Sequence, residues 1–165
     1  MPKDLRTFMD LVERKDPSGF RQVRREVNPE FETSAVLRKL QHRGEYPLVH
    51  FEKIKGSDFS IVSNVIADNK KLALTLDVSE ENLLKSFVER EANPIPPEIV
   101  KDGPVKERIY TGDDVDLNML PWPVQCEKDG GAFLTAGVTI VRNPETGTLT
   151  LESIVRCFMS KMFLG

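Results

Sequence analysis

Arg156 closes an alternating, β-branched run, and a guanidinium in that place can hold a carboxylate, because its fork of donors matches two oxygens at once. Taken alone, the same residue also reads as a strand-end arginine paired with Glu152 or with water. Ser153 likewise reads as a hydroxyl bonded to backbone. Glu152 lies four residues before Arg156, about 13 Å along an extended strand, so it is no ready catalytic partner. The other candidates are weaker. His42 and His50 are isolated, and no HExxH, GxSxG or Walker-type loop occurs, which argues against metallohydrolase, serine hydrolase and nucleoside triphosphatase chemistry. Asp113, Asp114 and Asp116 invite a cation, but EF-hand spacing fails and a turn capping a short helix to Leu120 accounts for them. Arg21, Arg24 and Arg25 could bind an anion, yet a solvated strand edge explains them without aromatic or glycine-rich company. Asp129-Gly130-Gly131 could bring backbone close to a phosphate or simply turn the chain into a strand.

The elements that must position Arg156 are legible around it. Residues 132–142 alternate, with Leu134, Ala136, Val138 and Ile140 on one face and Phe133, Thr135, Thr139 and Val141 on the other, which predicts a strand with one face packed. Asn143-Pro144-Glu145-Thr146-Gly147 carries a fixed φ, an Asx-type turn former and a residue tolerant of positive φ. Thr148 to Arg156 alternates again, Leu149, Leu151, Ser153 and Val155 against Thr150, Glu152, Ile154 and Arg156, so the whole predicts a β-hairpin with a five-residue loop.

Three runs within this region, Gly130-Gly131-x-Phe133-x-Thr135-Ala136-Gly137-Val138, Asn143-Pro144-Glu145-Thr146-Gly147 and Thr150-x-x-Ser153-Ile154-x-Arg156, resemble the UbiD-type decarboxylases, most of all the ferulic and cinnamic acid decarboxylase branch. Thr111-Gly112-Asp113-Asp114-Val115-Asp116-Leu117 with Leu120-Pro121 is similar to the same family, so the resemblance runs from about residue 100 to 156 and extends more loosely to Asp4-Leu5-Arg6-x-Phe8. It implies a split β-barrel carrying prenylated FMN, with Ser153 and Ile154 as flavin contacts and Arg156 as both a cofactor-side residue and the arginine of a Glu-Arg-Glu catalytic network. The family's divalent metal, Mn2+, uses an asparagine two residues before the serine. That position is Leu151, which has no atom able to coordinate a hard cation, so no metal ligand is assigned here. The implied substrate is an aromatic or α,β-unsaturated carboxylic acid. Decarboxylation needs an electron sink that no side chain supplies, hence the cofactor.

Before this region the chain predicts an α/β domain over residues 1–93. Leu5, Phe8, Met9 and Val12 make a helix over 3–15 capped by Asp4, and Phe20 to Val27 a weak strand. Asn28-Pro29 opens a helix over 31–43, with Ala35, Val36, Leu37 and Leu40 as its apolar stripe and Gly44 after it. Residues 47–54 and 59–66 read as a hairpin, residues 69–76 as a short helix, and Ser79 as the cap of another whose buried face is Leu83, Leu84, Phe87 and Val88. Three prolines in 94–97 start a linker running to residue 104. A strand over Val105–Tyr110 then begins an incomplete split-barrel segment, 105–165. The fold class is α/β (α+β) throughout.

A net charge of −3 excludes a strongly basic nucleic-acid surface, and no apolar run approaches the roughly 20 residues of a membrane span. With Cys126 and Cys157 as its two cysteines and no signal-peptide core, the chain is expected to be cytoplasmic and its thiols reduced. It runs only nine residues past Arg156, on an apolar tail, where the family continues with more barrel and a large C-terminal domain. The expectation is a fragment, a truncated paralogue serving as a non-catalytic binding or assembly subunit, or a chain completed by another, in a homo-oligomer or a complex.

Overall fold

The computed structural model describes residues 4–96, 98 and 100–158, the side chains of residues 151–158 excepted. The apolar tail from residue 159 lies outside the described residues. Four helices, α1 (Leu5–Lys15), α2 (Glu32–Gln41), α3 (Asn69–Leu76) and α4 (Leu83–Ala92), alternate with β1 (Phe20–Val27), β2 (Leu48–Ile54) and β3 (Ile61–Ser63), and a hairpin of β4 (Ala132–Arg142) and β5 (Leu149–Phe158) follows. The first three strands form one sheet in the order β1-β2-β3, and β4 and β5 form a second. β2, the central strand, buries Leu48, Val49, Phe51 and Ile54, which fall on both of its faces, so it is covered on both sides. The mixed α/β class read from the sequence is what the chain adopts.

Two compact units make up the chain. The first comprises the N-terminal residues to Val23 with Leu40–His50 and Val62–Asp116. Its core is Val12, Leu48, Val49 and Ala73. Asp4 caps α1 as predicted: its carboxylate accepts from the Thr7 amide at 2.9 Å, and the Thr7 side chain reaches back to the Asp4 amide. Asp68 caps α3 with its carboxylate on the Lys71 amide, and Asp77, at φ 57°, ends the helix in the left-handed region.

Three expectations in this unit are overturned. Ser79 does precede a helical turn, Glu80–Asn82, but its hydroxyl caps no amide and instead accepts from the Asn82 side chain at 3.0 Å. Most of the expected buried face of α4 is open to solvent, with Leu84 75% exposed and Phe87 and Val88 more than half exposed, while Leu83 is half-buried. Val105–Tyr110 is not a strand. Pro104 starts a single 3-10 turn, Pro104–Lys106, and the residues after it find no strand to pair with.

The second unit comprises Arg24–Lys39, Phe51–Ile61 and the residues from Leu117 onward, with Val27, Phe51, Ile54 and Thr33 of α2 buried. β3 covers only Ile61–Ser63 of the stretch 59–66, and Ser57 in the preceding link donates its hydroxyl to the Met119 carbonyl at 2.7 Å. The Ser57 oxygen also accepts from the Phe59 amide at 3.2 Å, a local bond that holds this link in a turn. The acidic stretch folds as two 3-10 turns, Gly112–Asp114 in the first unit and Leu117–Met119 in the second. Arg24 and Arg25 lie exposed on the edge strand β1, Arg25 within 3.3 Å of Glu32, in accord with the solvated-edge reading.

Candidate functional site

The hairpin that carries Arg156 is built in the second unit from the Pro123 segment upward. Val124 forms an isolated parallel bridge with Glu30, accepts from the Phe31 amide at 2.9 Å, and is followed by Gln125, whose carbonyl accepts from the Ser34 hydroxyl at 2.8 Å. Cys126 to Asp129 is a turn closed on both sides: the Asp129 amide donates to the Cys126 carbonyl, and the Asp129 carboxylate accepts from the Cys126 amide. The Phe133 amide then donates to the Pro123 carbonyl at 2.9 Å, which ties down the start of β4. Gly130 has nothing within 4 Å of where a Cβ would lie, so its freedom answers to no crowding in the chain itself.

At the far end the loop closes as the sequence predicts. The Asn143 carboxamide oxygen accepts from the amides of Glu145 and Thr146 at 2.8 and 3.0 Å, and Gly147 takes φ 71°. The Asn143 amide meets the Thr148 carbonyl and the Gly147 amide meets the Asn143 carbonyl, both at 2.9 Å.

The register between the strands contains a feature that alternation alone does not show. From the loop inward, Ile140 faces Leu151, Val138 faces Ser153 and Gly137 faces Ile154; Leu134 faces Arg156 and Ala132 faces Phe158. Between the pairs Gly137–Ile154 and Leu134–Arg156, two residues of β4, Thr135 and Ala136, stand against the single residue Val155. This is a one-residue β-bulge. It inverts the parity of β4, so Leu134 does not share a face with Val138 and Ile140, contrary to the expectation from uninterrupted alternation. Gly137, a glycine inside a strand, is the signal that could have located it.

The expectation that one face of this hairpin is packed is also overturned. Leu134, Val138, Ile140 and Val141 are all exposed, Ile140 at 63%. A two-stranded sheet has no layer of its own to bury an apolar face. The register brings the backbone of Ser153, Ile154 and Arg156 into one short span of β5, against Val138, Gly137 and Leu134. Their side chains lie outside the described residues.

Groups with displaced acidities sit off the hairpin and are explained by their own partners: in the second unit the Asn28 amide holds the Glu32 carboxyl below the ordinary value, and the others lie in the first unit. A hydrogen bond from Lys70, at 2.8 Å, holds the Asp16 carboxyl below the ordinary value; burial opposes this, and Ser18 adds a second donor. Burial works to raise the Asp68 carboxyl, but hydrogen bonds from the side chain and amide of Lys71 outweigh it. Lys71, 1% exposed, divides its ammonium between Asp68 and the Tyr46 carbonyl. These are satisfied ion pairs of α3 and the turn after α1, and leave no acceptor for a substrate. Among the described residues no group of three His, Cys, Asp or Glu side chains could hold a metal, and no helix is long and apolar enough to cross a membrane.

Comparison with known proteins covers nearly all of this chain. Residues 14–91 match the 3-octaprenyl-4-hydroxybenzoate carboxy-lyase N-terminal domain, and residues 98–161 match the Rift-related domain of the same carboxy-lyase family. The chain is 33% identical over 151 residues to a phenolic acid decarboxylase of Sedimentibacter hydroxybenzoicus, covering 87% of this chain and 31% of that one. It is similar in structure to the UbiD-class enzyme HmfF of Pelotomaculum thermopropionicum, solved in an evolved dimeric form with prFMN, at TM-score 0.86 and 27% identity over 96% of this chain and 36% of that one. The vanillic acid decarboxylase of Sedimentibacter hydroxybenzoicus in its closed form superposes with TM-score 0.74 and 32% identity, covering 88% of this chain and 32% of that one. This chain thus spans about a third of the length of these relatives. Two adjoining domain matches in the family's order, over a fold shared with its solved members, establish that the chain belongs to the UbiD family of carboxy-lyases.

Proposed function

We propose that this chain supplies the N-terminal domain, residues 1–93, a linker, 94–104, and the first part of the flavin-binding split barrel, 105–165, of a cytoplasmic UbiD-type decarboxylase acting on an aromatic or α,β-unsaturated carboxylic acid. The observation that supports it most directly is the hairpin register, which gathers Ser153, Ile154 and Arg156 on one short span of a strand whose neighbour presents exposed apolar residues and a glycine. Ile154 and Arg156 fall at alternate positions of β5, opposite Gly137 and the exposed Leu134, and that side of the hairpin suits a flat, largely apolar ring system. The donor set suits a prenylated FMN and not the family's metal, since Leu151 offers no oxygen or nitrogen and the described residues supply no alternative ligand cluster. No step is therefore derived through a metal.

Once bound, the flavin supplies the electron sink that protein side chains lack. Ser153 and Ile154 are the residues that would hold the flavin against this strand. Arg156 would receive the substrate carboxylate through two parallel N–H donors and orient it. Further polypeptide, from a longer chain or an associated copy, completes the site around this hairpin.

Co-expression with a flavin prenyltransferase, followed by a CO2-release assay on cinnamic and phenolic acids, tests this reading. Arg156→Ala is expected to lower kcat/KM about a hundredfold or more while flavin absorbance persists. Equal CO2 release from both proteins removes the arginine from the mechanism. Leu151 also motivates a second reading, a non-catalytic assembly subunit that keeps the fold. A chain that carries no flavin and captures a full-length family member in a pull-down would favour it over the enzyme.

A further inference from the structure

We propose that Asp102 is a site of spontaneous self-modification, where the Gly103 backbone nitrogen closes a succinimide ring on the Asp102 side chain and hydrolysis leaves a β-linked isoaspartyl residue. The tripeptide Lys-Asp-Gly occurs twice in the chain, at Lys101-Asp102-Gly103 and at Lys128-Asp129-Gly130. Both copies offer the same uncrowded nucleophile, since glycine puts no Cβ beside its nitrogen. Their surroundings separate them. At the first, the Gly103 amide donates to Oδ1 of Asp102 at 2.8 Å, so the nitrogen already lies against the carboxyl group it attacks. At the second, the Asp129 carboxylate accepts from the Cys126 amide at 2.9 Å, and the Asp129 amide donates back to the Cys126 carbonyl. That turn commits the Asp129 carboxylate to an amide before it in the chain rather than to Gly130.

Neighbouring groups hold the first site in place. The Lys106 amide donates to the Gly103 carbonyl at 2.9 Å and the Lys106 ammonium to the Lys101 carbonyl at 2.6 Å, which closes the backbone around Asp102. Asp102 is exposed, so water reaches the ring once it forms. Written for the acid form, the nitrogen's electron pair makes the N–Cγ bond, the Cγ–O bond breaks with its own pair, and that oxygen leaves as water with the amide and acid protons. Water then adds at one of the two ring carbonyls. Opening at the side-chain carbon restores aspartate. Opening at the main-chain carbonyl runs the backbone through Cβ and Cγ, which lengthens it by a single carbon and frees the α-carboxylate of Asp102. The added carbon falls just before the 3-10 turn Pro104–Lys106.

The test holds the purified chain for several weeks at body temperature and neutral pH. Isoaspartate at Asp102 and Asp129 is then quantified by peptide mapping, with a protein isoaspartyl methyltransferase as the probe for freed α-carboxylates. The same chain unfolded in guanidinium chloride gives the two rates without the fold. The rate at Asp102 divided by the rate at Asp129 is expected to be about threefold or more higher in the folded chain than in the unfolded one. Any smaller rise overturns the proposal, and so does a folded chain that forms no isoaspartate at Asp102. Gly103→Ala supplies a second arm. Gly103 has an extended backbone and nothing within 4 Å of where a Cβ would lie, so this variant keeps the fold while crowding the nucleophile. It is expected to slow Asp102 about threefold or more, with the rate at Asp129 and the melting temperature unchanged. A smaller effect at Asp102 overturns the proposal as well, because the Gly103 nitrogen is then not the attacking group.

Discussion

Lys71 lies in an element the sequence shows, at a depth the sequence does not mark. The α3 segment is visible in the sequence from Leu72, Ala73 and Leu76, and nothing marks Lys71 as its most buried long side chain. Burial of an ammonium is tolerable because the carboxylate at Asp68 and the carbonyl at Tyr46 both receive it. Asp68→Asn is expected to destabilise the fold by about 2 kcal/mol in a denaturant titration, since it leaves that charge less well paired, whereas Lys71→Met costs less. The Asp16 carboxyl is held below its unfolded value of 3.8 by Lys70. Its contribution to stability is therefore complete above the unfolded value and is lost as pH falls through the lower folded value. Melting temperatures taken from about pH 6 down to about pH 3 should drop more steeply for the wild type than for Asp16→Asn.

At the scale of elements, two helix and strand faces with similar apolar patterns meet different fates. Phe51 on β2 is fully buried, and Phe51→Ala is expected to cost about 3–5 kcal/mol. Phe87 on α4 is 51% exposed, and Phe87→Ala should cost under about 1 kcal/mol in the same measurement. The periodicity of α4 predicts an apolar stripe without specifying what covers it. The hairpin loop belongs to the opposite case, where local chemistry suffices: Asn143 and Gly147 have the side chain and the freedom that their turn demands. Gly147→Val forces a β-branched residue to φ 71° at about 1–2 kcal/mol, and the amides of Asn143 and Thr148 should then exchange faster with solvent. The failed strand at Val105–Tyr110 has suitable residue types but no partner, and pairing is what makes a strand.

On the scale of the molecule, the chain spans about a third of the relatives it matches and presents Leu134, Val138, Ile140 and Val141 on an open two-stranded sheet. Apolar strands with an unpaired edge associate. The 165-residue chain by itself is expected to show concentration-dependent mass in sedimentation, and the pair Val138→Lys with Ile140→Lys should shift it toward monomer without lowering the melting temperature by more than a degree or two. A monomer at every concentration would mean that the hairpin does not drive association.

The sequence by itself determined the α/β class, the helix caps at Asp4, the central strand around Phe51, the hairpin loop and the family, because each depends on spacing and residue chemistry within a few positions. Only the tertiary structure decided the burial of Lys71, the bare face of α4 and the bulge opposite Val155. Each of these depends on which distant segment lies alongside. A ladder that slips by one residue looks the same as a regular one until its partner strand is in place.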